Sequence, residues 1–214
     1  MIMQNNCPLC LSEKIRLFQK VDNKQYQICP NCDLVFLPRK FHLSREKEKK
    51  RYDLHENDPE DENYRQFLSG MLNAIMDNVD QPAEGLDYGS GPGPALAQML
   101  EEKGYKMDIY DPFYEPQKII YEKKYDFITC TEVVEHFARP GHEFEQLFNM
   151  LKSGGVLGIM TRLRTEQIEF FSWHYRRDPT HVCFYSDFTF RWIAKNYDLQ
   201  RKKISDQLNL LVNN

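Results

Sequence analysis

Short apolar runs alternate with amphipathic segments through the second half of the chain, and this alternation restricts the fold more than any other feature. Strands are predicted at 86–88, 107–110, 125–130 and 156–161, with helices at 95–103 and 137–151. Strands that alternate with helices predict an α/β fold with a doubly wound, mainly parallel sheet. An amphipathic helix is predicted over 63–80, a further helix near 187–195, and two strand-like runs near 199–205 and 208–212. The last two runs are close enough to form a C-terminal antiparallel hairpin.

A glycine loop, Gly-Ser-Gly-Pro-Gly at 89–93, follows the first predicted strand. Such a loop lets backbone N–H groups approach a ligand at a helix N-terminus. Asp111 ends the next strand about 20 residues later, where a carboxylate can accept hydrogen bonds from both hydroxyls of a ribose. No Lys-Ser/Thr pair follows the loop, which excludes a triphosphate-binding P-loop. Ala95 or Leu96 stands where a dinucleotide fingerprint has its last glycine.

With these features the chain resembles the Rossmann-like, class I S-adenosylmethionine-dependent methyltransferases over roughly residues 64–212. The resemblance is carried by the segments 86–93, 125–128, 132–136 and 151–155 and by Asp111. It implies a cofactor site made of Asp87, Gly89, Ser90, Gly91, Gly93, Asp111, Pro112, Cys130 and Thr131. In it the glycines surround the methionine part of S-adenosylmethionine, and Asp87 holds its amino group directly or through water.

The resemblance implies two further residue roles, and the chain departs from the family pattern at one place. Asp111 would bind the ribose hydroxyls, and Cys130 and Thr131 would face the sulfonium. The segment 112–124 is too short for the helix, strand and helix of the common family pattern. A vestigial third strand is therefore expected, and the acidic residue that usually contacts adenine is not identifiable.

Two Cys-x-x-Cys pairs near the N-terminus predict a metal site. The predicted ligands are Cys7, Cys10, Cys29 and Cys32. Two such pairs complete the tetrahedral shell of sulfurs preferred by structural Zn²⁺, whereas disulfides would need an oxidising compartment. Strand-like runs at 15–20 and 25–28 predict a hairpin between the pairs, so the first 38 residues resemble a zinc ribbon. Its metal is expected to be structural because so short a segment cannot fold by its own apolar burial. Nucleic-acid binding is the alternative.

Charge and hydropathy limit the classes of partner. The 28 Lys and Arg against 32 Asp and Glu give a net charge of −4, which argues against coating nucleic acid by bulk charge. The mean hydropathy is −0.66, and the longest aliphatic run is 156–160, so neither a membrane span nor membrane binding is expected. The sequence shows no secretory signal at its start, so a cytoplasmic protein is expected.

Opposite charges divide the segment that follows the ribbon. Residues 39–51 hold seven Lys and Arg, whereas residues 52–62 hold six Asp and Glu. Adjacent blocks of this kind are typical of a solvated linker or an exposed helix, and the alternative is a basic docking patch for an anionic substrate. The predicted organisation is a zinc ribbon at 1–38, a charged linker or helix at 39–62 and a methyltransferase domain at 63–214.

Two segments at the predicted C-terminal edge of the sheet offer bases for catalysis, the edge where ligands collect in open α/β sheets. Glu132, Glu135 and His136 share a face at helical spacing after one strand, and the polar, aromatic segment 173–181 follows another. The candidate catalytic residues are His136, His181, Glu135 and Tyr175, with one of the histidines as the preferred base because imidazole has a pKa of about 6.5. The alternatives are a capping role for His136 and a backbone-bonded loop role for His181.

The same cluster is also a candidate site for a catalytic metal ion. Glu132, Glu135, His136 and His181 are similar to the metal site of small-RNA 2′-O-methyltransferases and to clusters in ubiquinone-pathway O-methyltransferases. They would hold Mg²⁺, Mn²⁺ or Zn²⁺.

The sequence therefore predicts an enzyme, an S-adenosylmethionine-dependent methyltransferase that acts on an oxygen atom of a small molecule. One alternative is an RNA methyltransferase that grips RNA with the ribbon and the basic segment. The other is a cofactor-binding module without catalysis. No obligate protein partner is evident.

Overall fold

The computed structural model describes residues 6–54 and 57–214. Its strands are β1 Arg16–Val21, β2 Lys24–Ile28, β3 Val35–Phe36, β4 Glu84–Tyr88, β5 Lys106–Tyr110, β6 Tyr125–Thr131, β7 Leu151–Met160, β8 Cys183–Phe184, β9 Leu199–Lys203 and β10 Leu208–Asn213. Its α-helices are α1 Arg45–Tyr52, α2 Glu62–Met76, α3 Ala95–Glu102, α4 Pro140–Met150 and α5 Asp187–Asn196. Within these residues no helix is both long and apolar enough to cross a bilayer.

The larger sheet has six strands in the order β5-β4-β6-β7-β10-β9. The four strands β4 to β7 are parallel, whereas β10 runs antiparallel to both β7 and β9. The predicted α/β class, the mainly parallel sheet and the C-terminal antiparallel hairpin are therefore confirmed. Strand β5 is an edge strand, and the residues that follow it form a short 3₁₀ turn, Lys118–Glu122, in place of a third strand.

Helix α2 follows from the apolar stripe in its sequence. Asp61 caps it by accepting a hydrogen bond from the backbone N–H of Tyr64 at 2.7 Å. Its buried face consists of Leu68, Met71, Leu72, Ala74 and Ile75. This face packs on the sheet, where the thioether of Met71 meets the backbone at Gly158. The helix ends at Met76, earlier than the predicted end at residue 80.

Two predicted boundaries differ from the observed ones for local reasons. Helix α4 begins at Pro140 instead of residue 137, because the preceding residues form a 3₁₀ turn, Val134–His136, and proline is favoured in a first helical turn. Strand β7 begins at Leu151 instead of residue 156. Its pairing with β6 shifts register along this stretch, and Gly154, at φ +75°, takes up the irregularity.

The N-terminal segment 7–37, called the ribbon below, is tied to the rest of the molecule by strand pairing. The predicted hairpin is formed by β1 and β2, and its turn residues Asp22 and Asn23 both have positive φ, as a tight hairpin turn requires. Strand β3 pairs with β2 on one side and with β8 on the other. The ribbon sheet is thus completed by a strand about 150 residues away in the chain, and apolar side chains of both parts share one core.

Candidate functional site

A cleft of about 700 Å³ opens at the C-terminal edge of β4, β5 and β6. The glycine loop 89–92 and Asp111–Tyr114 line one end of it, and Thr131–Val133, His136 and His181 line the other. Parallel strands present their carboxyl ends at one edge, so residues that are distant in the sequence meet there. The two predicted histidines therefore border one cavity with six of the predicted cofactor residues, Gly89, Ser90, Gly91, Asp111, Pro112 and Thr131. The other three, Asp87, Gly93 and Cys130, do not line it.

The glycine loop needs its glycines for conformation and for space. Gly89 and Gly91 have φ values of +84° and +65°, in the left-handed region that glycine adopts without strain. A Cβ atom on Gly89 would lie 2.4 Å from a methyl of Val133, so the loop packs directly on the segment that follows β6. The loop backbone is thereby held against the cleft.

Asp111 stands at the end of β5 with its carboxylate among backbone amides. One oxygen accepts from Gly91 N at 3.1 Å, and the other accepts from Phe113 N and Tyr114 N at 2.8 and 3.1 Å. These bonds fix the carboxylate beside the glycine loop. A carboxylate has about four acceptor positions, so capacity for a ribose remains.

Asp87 lies below the glycine loop and is fully buried beside Thr129, whose hydroxyl donates to it at 2.7 Å. Burial raises the pKa of this carboxyl from 3.8 to about 6, and the nearby charge of Asp111 acts in the same direction. Asp87 does not line the cleft. Asp87 could therefore act on a cationic amino group in the cleft only indirectly, through the glycine loop, Thr129 or a water molecule.

We expect S-adenosylmethionine affinity to fall about tenfold between pH 7 and pH 5. The raised pKa means that Asp87 gains its proton as the pH falls through about 6, and the carboxylate that the family resemblance assigns to the cofactor's amino group would then lose its charge. Isothermal titration at pH 5, 6 and 7 measures this. Asp87→Asn should bind more weakly at pH 7 and show a flat profile. Equal pH profiles for the two proteins would rule out this role.

Side-chain alternation along β6 separates two residues that were predicted to face the sulfonium. Thr131 lines the cleft, but Cys130 is completely buried in the core on the opposite face. The prediction for Cys130 is therefore corrected. Thr131 Oγ1 and Glu132 Oε1 are buried polar atoms with no hydrogen-bond partner among the described residues. Buried polar groups are normally satisfied, so these two atoms indicate where a polar ligand would bind.

His136 and His181 face each other at the cleft, with ring centroids 4.8 Å apart. Nδ1 of His136 contacts the carbonyl oxygen of Thr180 at 3.1 Å, and Nδ1 of His181 contacts that of Tyr175 at 2.7 Å. A carbonyl oxygen only accepts, so each Nδ1 carries the proton, and the lone pair of each neutral ring is on Nε2. This tautomer suits a proton acceptor or a metal ligand.

Glu135 and Tyr175 lie behind the histidines and do not line the cleft. The Tyr175 hydroxyl donates to one oxygen of Glu135 at 2.5 Å, and the Thr161 hydroxyl donates to the other at 3.0 Å. Burial raises the pKa of Glu135, and burial together with the charge of Glu135 raises that of Glu132. The two carboxyls share one buried site, so ionisation of one opposes ionisation of the other.

The predicted helical face for the Glu-x-x-Glu-His motif is wrong, although its residues do cluster. Glu132 has φ +53°, and only 134–136 form a single 3₁₀ turn. One oxygen of Glu135 lies 4.0 Å from Nε2 of His136. Ligand atoms of Glu135, His136 and His181 all lie within 4.8 Å of one another, a spacing that can hold a cation.

Helix α1 roofs the cleft and contributes residues that sequence reasoning missed. Arg45, Glu48 and Tyr52 line the cavity, and the Tyr52 ring lies 5.4 Å from that of His136. Two contacts hold the helix down. Arg45 donates to the carbonyl of Pro112, and Arg51 pairs with Asp178, each at 2.8 Å. The sequence did contain a signal, because the lining residues are spaced by three and four positions, as on one face of a helix. The high charge of the segment obscured it.

The four ribbon cysteines converge as predicted. All four thiols lie within 4.8 Å of one another, with Sγ–Sγ distances of 3.5 Å for Cys7 and Cys32 and 3.4 Å for Cys10 and Cys29. None forms a disulfide. The ribbon thus presents one compact group of four sulfurs.

Comparison with known proteins identifies the family of the chain and supports its fold. A family model described as a methyltransferase domain matches residues 61–202. The chain is 29% identical over 100 residues to the ubiquinone biosynthesis O-methyltransferase of Actinobacillus pleuropneumoniae serotype 5b (strain L20), covering 45% of this chain and 43% of that protein. Identity to the protein of that name from Shewanella pealeana is 26% over 92 residues, covering 43% and 39%. The matches thus span less than half of these relatives.

A solved structure agrees with the fold. The crystal structure of a SAM-dependent methyltransferase from Archaeoglobus fulgidus superposes with a TM-score of 0.50 at 19% identity, covering 64% of this chain and 69% of the other. At that identity the likeness concerns the fold alone. The family model covers well over half of the chain, and the cleft lies where the predicted cofactor motifs meet. The chain belongs to the methyltransferase domain family.

Proposed function

We propose that the protein methylates a hydroxyl group of a small molecule, with S-adenosylmethionine as the methyl donor. The observation that carries this proposal is the pair of histidines at the cleft, each of which donates its Nδ1 proton to a backbone carbonyl and so has Nε2 as the atom that can accept a proton. They stand beside Thr131 and Glu132, at the end of the strand that borders the glycine loop. The names of the partly matching relatives support oxygen as the acceptor atom.

The residues present fit the cofactor. The glycine loop, the fixed carboxylate of Asp111 and the unpartnered Thr131 hydroxyl border a cavity of sufficient size. S-adenosylmethionine supplies an electrophilic methyl group, and its sulfur keeps the electron pair of the broken bond. His136 accepts the hydroxyl proton at Nε2 while the acceptor oxygen forms its bond to the methyl carbon. His181, Tyr52 and the roof helix restrict the acceptor's orientation and exclude water.

A divalent cation is a second arrangement that the same residues support. Glu135, His136 and His181 offer converging ligand atoms, and the unpartnered oxygen of Glu132 adds a carboxylate nearby. Mixed carboxylate and imidazole ligands suit Mn²⁺ or Zn²⁺, and carboxylates suit Mg²⁺. Such an ion would lower the pKa of a bound hydroxyl, and Glu135 would then be a ligand instead of a positioning residue.

The ribbon cysteines fit a structural Zn²⁺. Four thiols at mutual distances of 3.4–3.5 Å for the closest pairs match a tetrahedral shell with Zn–S bonds of about 2.3 Å. Such a site is closed and carries no catalytic water. Its contribution is to hold the ribbon, and through β3 and β8 the segment that carries His181.

Asp111→Ala tests the cofactor assignment. The substitution removes a carboxylate that has about one acceptor position left for a ribose hydroxyl, and one such charge-assisted bond contributes about 1.5–3 kcal/mol. S-adenosylmethionine affinity measured by isothermal titration should therefore fall at least about tenfold. Asp206→Ala is the matched control, because its side chain is 96% exposed and does not line the cleft. Unchanged affinity in Asp111→Ala would reject this residue as the ribose ligand.

A further inference from the structure

A second cavity, called the ribbon groove below, lies between the first cysteine knuckle and the start of α4. Its volume is about 860 Å³, larger than that of the cleft. Cys7–Leu9 line it on the ribbon side, Pro38–Lys40 also border it, and the residues at the start of α4 that line it are Arg139, Gly141 and His142. Gly141 N donates to the carbonyl of Pro8 at 3.1 Å, so the two walls are joined directly.

The ribbon groove adjoins the cleft. Ala138, exposed on the surface, lines both cavities. The chain from Pro38 to Tyr52 borders both cavities: Pro38–Lys40 line the groove, and the α1 residues Arg45, Glu48 and Tyr52 line the cleft. Ala138 is therefore the point at which a molecule with its hydroxyl at His136 would pass from the cleft to the groove.

The charge of the ribbon groove is opposite to that of the whole chain. Arg39, Lys40 and Arg139 line it against one carboxylate, Glu145, while the chain carries a net −4. Neither Lys40 nor Arg139 forms an ion pair with a carboxylate within 6–54 and 57–214. Arg139 is also the N-cap residue of α4, so the positive end of that helix dipole faces the same region.

We propose that the ribbon groove binds a phosphate or diphosphate group of an elongated small-molecule acceptor whose hydroxyl is methylated in the cleft. This proposal rests on the proposed function and names its substrate class. Guanidinium groups bind phosphate oxygens in a bidentate manner, and an ammonium group adds a point charge. The cavity is bounded by the knuckle and α4, and it offers few cations. This fits a compact anion better than an RNA backbone, which needs many phosphate contacts.

The test uses the full chain, with inorganic pyrophosphate as the probe. Lys40→Glu/Arg139→Glu reverses two groove charges, and Lys14→Glu/Lys20→Glu is the control with the same net charge on exposed ribbon residues. Isothermal titration should show pyrophosphate binding that falls at least tenfold in the groove variant and is unchanged in the control. Saturating S-adenosylmethionine should not displace the probe. Melting temperatures of both variants, and Lys40→Gln/Arg139→Gln if the first does not fold, separate binding from stability.

The outcomes are distinguishable. If S-adenosylmethionine fails to bind while pyrophosphate binding depends on Lys40 and Arg139, the proposed function fails and the anion site stands alone. No pyrophosphate binding, or equal binding by the groove and control variants, overturns the groove proposal. If a single-stranded RNA oligonucleotide binds through these two residues and pyrophosphate does not, the occupant is RNA and the proposal is wrong.

Discussion

Replacing His136 by alanine is expected to lower turnover by about 10²–10⁴-fold while S-adenosylmethionine affinity stays within about twofold, because general-base help typically contributes that much. His136 lines the cleft, and its Nδ1 proton is held by the carbonyl of Thr180, so in the neutral ring Nε2 is the proton-accepting atom. Single-turnover kinetics with the identified acceptor measures the chemical step, and isothermal titration measures cofactor binding. His181→Ala should show the smaller loss if that ring only orients the acceptor.

His174→Ala is the matched control for these variants. His174 is an exposed histidine in the 3₁₀ turn His174–Arg177, outside the cleft-lining set, so its loss should leave turnover unchanged. If both cleft variants retain full activity, the histidines are structural. Catalysis would then depend on alignment of the reactants alone.

A divalent cation bound by the cleft residues would give further measurable effects. EDTA should then inhibit, and Glu132→Ala should resemble His136→Ala, because both remove a ligand from one ion. Added Mg²⁺ or Mn²⁺ without zinc should restore activity, which distinguishes this site from the ribbon. Activity that is insensitive to EDTA would exclude a dissociable ion here.

Loss of the ribbon metal is expected to give the largest change in stability. Zinc should copurify at about one equivalent, and Cys29→Ser should abolish it and reduce the free energy of unfolding by more than about 4 kcal/mol. A lost thiolate leaves an incomplete shell, and the ribbon has too little core of its own. Metal analysis and denaturant titration measure the two effects. Cys130→Ala is the control, because it removes a buried thiol outside the cluster and should retain the metal.

The metal's effect should extend beyond the ribbon. Leu37 N donates to the carbonyl of Val182, and Val182 N donates to the carbonyl of Glu135 at 2.9 Å. Hydrogen exchange in Cys29→Ser should therefore accelerate at 181–184 as well as at 7–37. Protein purified without chelator that contains no zinc would refute the metal assignment.

Local patterns predicted most of the elements, because they follow from periodicity and from residues that fix backbone conformation. The hairpin at Asp22 and Asn23 and the glycine loop belong to this group. Pairing of β3 with β8 could not be predicted, since each strand has two residues and the partners are far apart in the chain. Tertiary contact alone specifies such pairs.

The sequence predicted which residues of the site lie close together better than it predicted which of their side chains face the cleft. The sequence places His136 and His181 near one sheet edge, but it does not show that Glu135 points inward to Tyr175 and Thr161. Nor does it show which face of β6 borders the cleft, because strands buried on both sides lack a polar alternation. This is why Cys130 was predicted to face the cofactor together with Thr131, whereas only Thr131 lines the cleft.

The completion of the ribbon sheet by β8 has a consequence for the order of folding during synthesis. The ribbon leaves the ribosome before β8 does, so its third strand finds its outer partner only after about 150 further residues have emerged, a contact of high sequence separation. Until then β3 is an exposed sheet edge, the kind of surface that pairs with other chains. Early capture of the metal by the four cysteines would keep the nascent ribbon compact during that interval. Limiting zinc during expression should therefore shift the product from soluble to aggregated chain.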